Sequence, residues 1–237
     1  KCWDRAISYW PDEPQWLVQS SNAAIALNDL KKASEMLQQA IEILPNQSLL
    51  HGKLGGLLLQ QEFVDSAIDQ LKISTQLSPT NGEAWLNLAK AYMRKNDLKN
   101  AKASADKAVQ WTNRSVPSLV LSGQIALLDG DEKYAAEYSK EAQRIGSDDL
   151  DLVLLNAKLL QAKGKDTDAL ELLSSITGSH GESLSLKLEI ARLIYKLQGS
   201  ASAVKYLHPL AERYPDNDLV IGAYASSLAE CGLFSEA

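Results

Sequence analysis

Two cysteines stand in 237 residues, Cys2 and Cys231, almost the whole chain apart. That spacing excludes a disulfide framework and a thiolate metal site, both of which need clustered ligands. Seven prolines and 6% aromatic residues are few. With an apolar share drawn from Leu and Ala, they argue against an all-β chain and for helices. No apolar run reaches the roughly 18 residues that span a bilayer. The greasiest stretch, LGGLLLQ at 54–60, is far shorter. There is no excess of positive charge either. The formal net charge is -6, whereas a nucleic-acid binder shows a basic balance. No signal peptide is visible, and the first residue is Lys1, not Met. The default compartment is therefore the cytoplasm, and a removed signal would place the chain in the periplasm or envelope.

What is present is a repeat. From Ala101, steps of 34 residues reach Ala33, Ala67, Ala135, Ala169, Ala203 and Ala237, all alanine with no insertion. The column through Ala89 is small throughout: Ser21, Gly55, Ala89, Gly123, Ala157, Ala191 and Ala225. The column through Tyr92 is apolar: Ala24, Leu58, Tyr92, Ala126, Leu160, Ile194 and Leu228. Small residues recur where helices cross closely, because a larger side chain would push the axes apart. Asn28, Asn96, Gly130 and Gly164 share a turn column, and these residue types tolerate the left-handed backbone that ends a helix. Pro11, Pro45, Pro79 and Pro215 share another, where proline closes a second helix. Each unit thus reads as two antiparallel helices that bury their apolar faces only by stacking.

The pattern Trp85, Leu88, Ala89, Tyr92, Ala101 and Ala108 over a 34-residue period resembles the tetratricopeptide repeat (TPR). Ala105 and Asn113 depart from it, and His51 and Lys187 occupy the Trp column, which predicts looser packing in those units. The fold expected is all-α, a right-handed superhelical α-solenoid of antiparallel helix pairs. The register predicts one array: the end of a preceding repeat at 1–13, carrying Trp3, Ala6 and Pro11, six full repeats at 14–47, 48–81, 82–115, 116–149, 150–183 and 184–217, and a truncated seventh at 218–237. Both ends fall in mid-unit, which predicts a piece of a longer array. The strict register with a relaxed consensus resembles large bacterial proteins of the family.

No catalytic constellation is visible. His51, His180 and His208 lie on different units, His180 in the loop TGSHGES, and LGGLLL lacks the Gly-Lys-Ser/Thr ending of a phosphate loop. It reads instead as helix core. Neither cofactor nor metal is expected. Asn46-Gln47-Ser48 and Asn113-Arg114-Ser115 match the glycosylation triplet, which matters only in a secretory context.

The resemblance implies a protein-interaction scaffold or adaptor, with first helices lining a concave groove for a peptide or partner segment. By register the groove side chains are Gln19, Asn22, Lys53, Asn87, Lys90, Arg94, Gln124, Lys158, Gln161, Glu189, Arg192, Tyr195 and Lys196. Six are basic and one acidic, a local reversal of sign that suits an acidic segment or a terminal carboxylate; the alternative is a solvated helix face. Lys90, Arg94, Lys158 and Arg192 are the expected contacts, and Tyr195 an anchor. Val120, Leu121, Leu127, Leu128, Leu154 and Leu155 read either as an apolar seat for a partner or as packing. Trp3, Trp16, Trp85 and Trp111 read as packing residues. Of the two-carboxylate clamp of chaperone-binding family members, Asn22 alone is matched, and Asn87 alone fits the asparagine ladder of glycosyltransferase-linked arrays. Two further readings are open: a recruitment or regulatory arm of an enzyme whose catalytic domain lies outside this chain, and self-association through the terminal units.

Overall fold

A computed structural model of the protein describes residues 9, 13–146, 148–176 and 178–232. Trp3, Ala6, Pro11 and Ala237 lie outside them. The described residues are helical and form two compact units, Lys1–Ile145 and Gly146–Ala237. The first unit holds α1 (Pro14–Ala26), α2 (Leu30–Ile43), α3 (Ser48–Gln60), α4 (Val64–Leu77), α5 (Gly82–Arg94), α6 (Leu98–Trp111), α7 (Val116–Leu128) and α8 (Glu132–Ile145). The second holds α9 (Leu150–Ala162), α10 (Asp166–Ser174), the single turn α11 (Gly178–Gly181), α12 (Leu184–Gln198), α13 (Ser200–Arg213) and α14 (Asp218–Glu230). First helices begin at Pro14, Ser48, Gly82, Val116, Leu150, Leu184 and Asp218, one every 34 residues. Consecutive helices pack as pairs, and within each unit neighbouring pairs stack.

The sequence punctuates these helices with ordinary chemistry. Asp29, Asn81, Asp97, Asp149 and Asn217 each accept a hydrogen bond from the backbone N–H three residues on, satisfying a donor the helix leaves open. Three-residue turns join the pairs from α1–α2 to α9–α10. Asn28, Asn96, Gly130 and Gly164 all have positive φ, as their shared column predicts. The same column holds Glu62 at φ 63°, a side chain that pays a steric cost there. Pro45, Pro79 and Pro215 fall two residues beyond the ends of α2, α4 and α13.

The alanine column is the centre of the packing. Ala33, Ala67, Ala101, Ala135, Ala169 and Ala203 are 0% exposed. Gly55 serves the same crossing in the α3–α4 pair, where an added Cβ would stand 2.5 Å from the Leu71 side chain. Around these contacts Leu37, Leu54 and Leu71 fill the core of the first pairs, and Leu173, Leu186 and Leu193 that of the second unit.

Three features differ from the expectation. The pair containing His51 is not loose: His51 is buried, with both ring nitrogens hydrogen-bonded. The next turn after α9–α10 is shifted. Gln198 occupies the left-handed column, so α12 runs on through it for 15 residues, and Gly199 alone, at φ 86°, makes the turn. Finally, α10 stops after 9 residues where its counterparts have 14. Ser174 and Ser175 are poor helix formers, and the Ser175 hydroxyl donates to the Leu172 carbonyl at 2.7 Å. The segment read as a loop around His180 contains the turn α11, with His180 exposed.

Candidate functional site

In the first unit, α1, α3 and α5 are first helices of successive pairs, and they line a cleft of about 360 Å³. Asn22 comes from α1, Lys53 from α3 and Asn87 from α5, so three side chains selected by register share one wall. The Lys53 ammonium donates to Asn22 Oδ1 at 3.3 Å. Asn87 is half-buried. Lys90, one turn further along α5, is exposed and has no ion-pair partner among the described residues. Gln124 is half-buried on α7. Gln19 is exposed on α1.

Arg94 behaves differently. Its guanidinium donates to the Leu59 carbonyl and to Glu62 Oε1, the latter at 2.9 Å. It straps α5 to the turn between α3 and α4. Lys95, in the turn after α5, reaches Asp65 at the start of α4 at 2.6 Å, and that carboxylate raises the Lys95 pKa. Register identified Arg94 as outward-facing but gave no view of an acid on the preceding turn.

The second unit repeats this division. Lys158, on α9, is exposed with no ion-pair partner among the described residues. Arg192 donates to Gln161 Oε1 and Glu189 Oε1, both at 2.8 Å. Lys196 pairs with Asp166 at 2.7 Å. The Tyr195 hydroxyl donates to Glu230, whose carboxylate holds the phenol above its usual pKa. Of the expected cationic contacts, Lys90 and Lys158 are unengaged, while Arg94 and Arg192 are held by the chain itself.

The apolar wall resolves by burial. Val120, Leu121 and Leu155 are buried, Leu127 and Leu154 are half-buried, and Leu128 is exposed at 61%. Trp85 packs on the first core, and Trp111 is 42% exposed. The cleft also has contributors that register did not select, Leu49, Gly52, Gly56 and Gln60, and it includes Glu83, which register places near the groove rim. Gly52 and Gly56 were masked in the sequence by their place in a greasy helix. Among the described residues, no group of three or more His, Cys, Asp or Glu side chains could hold a metal ion. No helix among them is long and apolar enough to cross a membrane.

Residues 17–47 and 82–114 match the family model described as tetratricopeptide repeat. Over these two stretches the chain carries tetratricopeptide repeats. A TPR protein from Parabacteroides merdae superposes with a TM-score of 0.72 at 14% identity, covering 93% of this chain and 87% of that one. PilW, described as a widely conserved type IV pilus biogenesis factor, superposes with a TM-score of 0.71 at 17% identity, covering 88% and 97%. At such identities these likenesses concern the fold. A human relative, protein O-mannosyl-transferase TMTC1, is 27% identical over 117 residues, which is 47% of this chain and 13% of that protein. The two pairs that match the family model, α1–α2 and α5–α6, flank the cleft on both sides.

Proposed function

We propose that this TPR protein is an interaction scaffold whose first unit seats an acidic partner segment in the α1–α3–α5 cleft. The observation that carries the reading is the convergence of Asn22, Lys53 and Asn87 on one concavity formed by three successive first helices. Amide side chains offer donors and acceptors to a peptide backbone. Lys53 inside the cleft and Lys90 just beyond it supply positive potential on a chain of net charge -6. Glu83 also lines the cleft, and it would repel an acid placed at that end, which puts the favoured end near Lys53. In the second unit Lys158 is the corresponding unengaged cation.

The test is charge reversal at residues that hold no ion pair among the described residues. Lys53→Glu with Lys90→Glu should weaken binding of a fluorescent acidic peptide pool to the full chain by about tenfold or more, with the loss growing at low salt. Arg94→Glu is the wrong variant for this purpose, because it also breaks the Glu62 pair. Equal binding of the pool to both proteins would remove the acidic-segment reading.

A second reading has one specific support. The human relative is by name a transferase, and the shared stretch is a small part of it. On that reading the repeats recruit a substrate for a catalytic domain elsewhere. Removing the repeats would then abolish turnover of a protein substrate and spare turnover of a small acceptor; equal loss of both would count against it.

A further inference from the structure

A glycine inside a helix destabilises it relative to alanine, so each one calls for a local cause. Helix α3 carries three, at 52, 55 and 56. Packing accounts for two. The Leu71 side chain leaves no room for a Cβ on Gly55, and a Cβ on Gly52 would stand 3.0 Å from Ser74 Oγ, itself fixed by its bond to the Ser48 carbonyl. Gly56 has no such neighbour. A Cβ there would meet only the far end of Asn87, 3.3 Å from Nδ2. That amide ends a side chain with freedom to turn away. Gly56 faces the cleft, not the core.

We infer that Gly56 is bare so that a bound chain can lay its own backbone on α3, and that the occupant is an extended peptide with a small residue at that crossing and an acidic residue beside it. The inference rests on the cleft being a peptide site and adds the occupant's conformation and register. A bare helix surface admits a backbone to close range. Asn22 on α1 and Asn87 on α5 flank it, and each primary amide matches the donor and acceptor of a peptide unit. A helical occupant would offer them nothing, since its backbone groups are already bonded to one another and lie behind its side chains. Lys53 lies one turn before Gly56 on the same face, which places the acid next to the small residue. Leu49, 57% exposed at the lip, gives an aliphatic neighbour a seat.

The experiment is selection of a random-peptide display library on the full 237-residue chain, followed by affinities of the selected peptides for variants. The expected peptides are acidic, with Gly, Ala or Ser at one fixed position. Gly56→Ala should raise Tm by about 2–4 °C, as a compatible Gly→Ala change does, and yet weaken these peptides about tenfold or more. Stability and binding then move in opposite directions, which misfolding cannot mimic. Peptides that keep their affinity for Gly56→Ala overturn the inference and leave the cleft a peptide site. A lowered Tm for Gly56→Ala assigns the glycine to packing and overturns it too. Selection without acidic enrichment, or binding indifferent to Lys53→Glu, removes the underlying reading and the inference with it.

Discussion

His51 and Trp85 occupy the same position in successive helix pairs and make the same hydrogen bond. His51 Nε2 donates to the Pro45 carbonyl at 2.8 Å, and Trp85 Nε1 donates to the Pro79 carbonyl at 2.8 Å. Each ring reaches back six residues to the proline that ends the preceding helix. His51 Nδ1 also shares a hydrogen bond with the Gln70 side-chain amide, 2.8 Å away. The role of the column is thus a ring nitrogen donor, which either residue supplies. Replacing His51 by Leu should cost about 1–3 kcal/mol, because two hydrogen bonds, each worth about 0.5–1.5 kcal/mol, are lost while the apolar volume is kept. His51→Trp, which copies the next pair, should cost less than His51→Leu. Urea unfolding of the three proteins gives the order directly; equal stability of His51→Leu and the parent would show that the bonds contribute nothing.

The repeat was legible because its signals are local and recur. Ala33 to Ala203 mark the helix crossings, and Asn28, Asn96, Gly130 and Gly164 mark the turns. Residue type at each column follows from space or from backbone conformation, and both survive in a bare sequence. The cleft was half legible. Register placed Asn22, Lys53 and Asn87 on one wall. It could not show that Arg94 and Lys196 are taken up by Glu62 and Asp166, because those acids lie 32 and 30 residues earlier, in the preceding pair. Nor could it separate Gly55 from Gly56, since the two differ only in which neighbour a Cβ would meet. The shortened α10 follows from a serine pair competing with its own backbone, a balance too fine for periodicity to reveal.

Glu62 is the strained member of the turn column. Its φ of 63° puts a Cβ against the following carbonyl, a cost of about 1–2 kcal/mol that glycine avoids. Glu62→Gly also removes an exposed ion pair with Arg94, worth about 0–1 kcal/mol. The net expectation is a gain of about 0.5–1 kcal/mol and a higher Tm. Glu62→Gln keeps the strain and loses the charge, so it should show no gain. Matching Tm values for the Gly and Gln variants would place the effect in the ion pair.

Ser122 and Ser118 on α7 make opposite cases. Both are buried. Ser118 Oγ donates to the Ser115 carbonyl at 2.8 Å and lies 2.9 Å from Thr112 Oγ1. Ser122 Oγ has no hydrogen-bond partner among the described residues, and it sits in a column where Leu54 and Leu88 are core residues. An unpaired buried hydroxyl costs free energy that alanine does not. Ser122→Ala should therefore stabilise by about 1 kcal/mol, and Ser118→Ala should destabilise by about 1–2 kcal/mol. Denaturant midpoints decide between them, and a destabilised Ser122→Ala would indicate a bound water at that hydroxyl.

Two carboxylates at α6 should respond to acid with opposite signs. Asp97 caps the helix, and hydrogen bonds from the Asn100 side chain and backbone hold its carboxyl below the usual range. A lowered folded pKa means stability that is present above the unfolded value and lost as pH falls through the folded one. Asp106 is held above its usual range by burial, against the opposing pull of Lys102. A raised folded pKa means the reverse: the folded state favours the protonated carboxyl, so stability is greatest below the unfolded value and declines as pH rises. Carboxylates in unfolded chains titrate near pH 4, so neutral and strongly acid solutions bracket both groups. Asp106→Asn should be more stable than the parent at pH 7, with the advantage shrinking as pH falls through the raised folded pKa towards about pH 4, where the parent's folded carboxyl has taken up its proton, and changing no further below it. Asp97→Ala should be less stable than the parent at pH 7, and part of that deficit should disappear in acid as the charge it removed is lost from the parent as well. Thermal melts of the three proteins from neutral to acid pH measure both slopes, and parallel curves for Asp106→Asn and the parent would show that Asp106 titrates alike in the folded and unfolded chains.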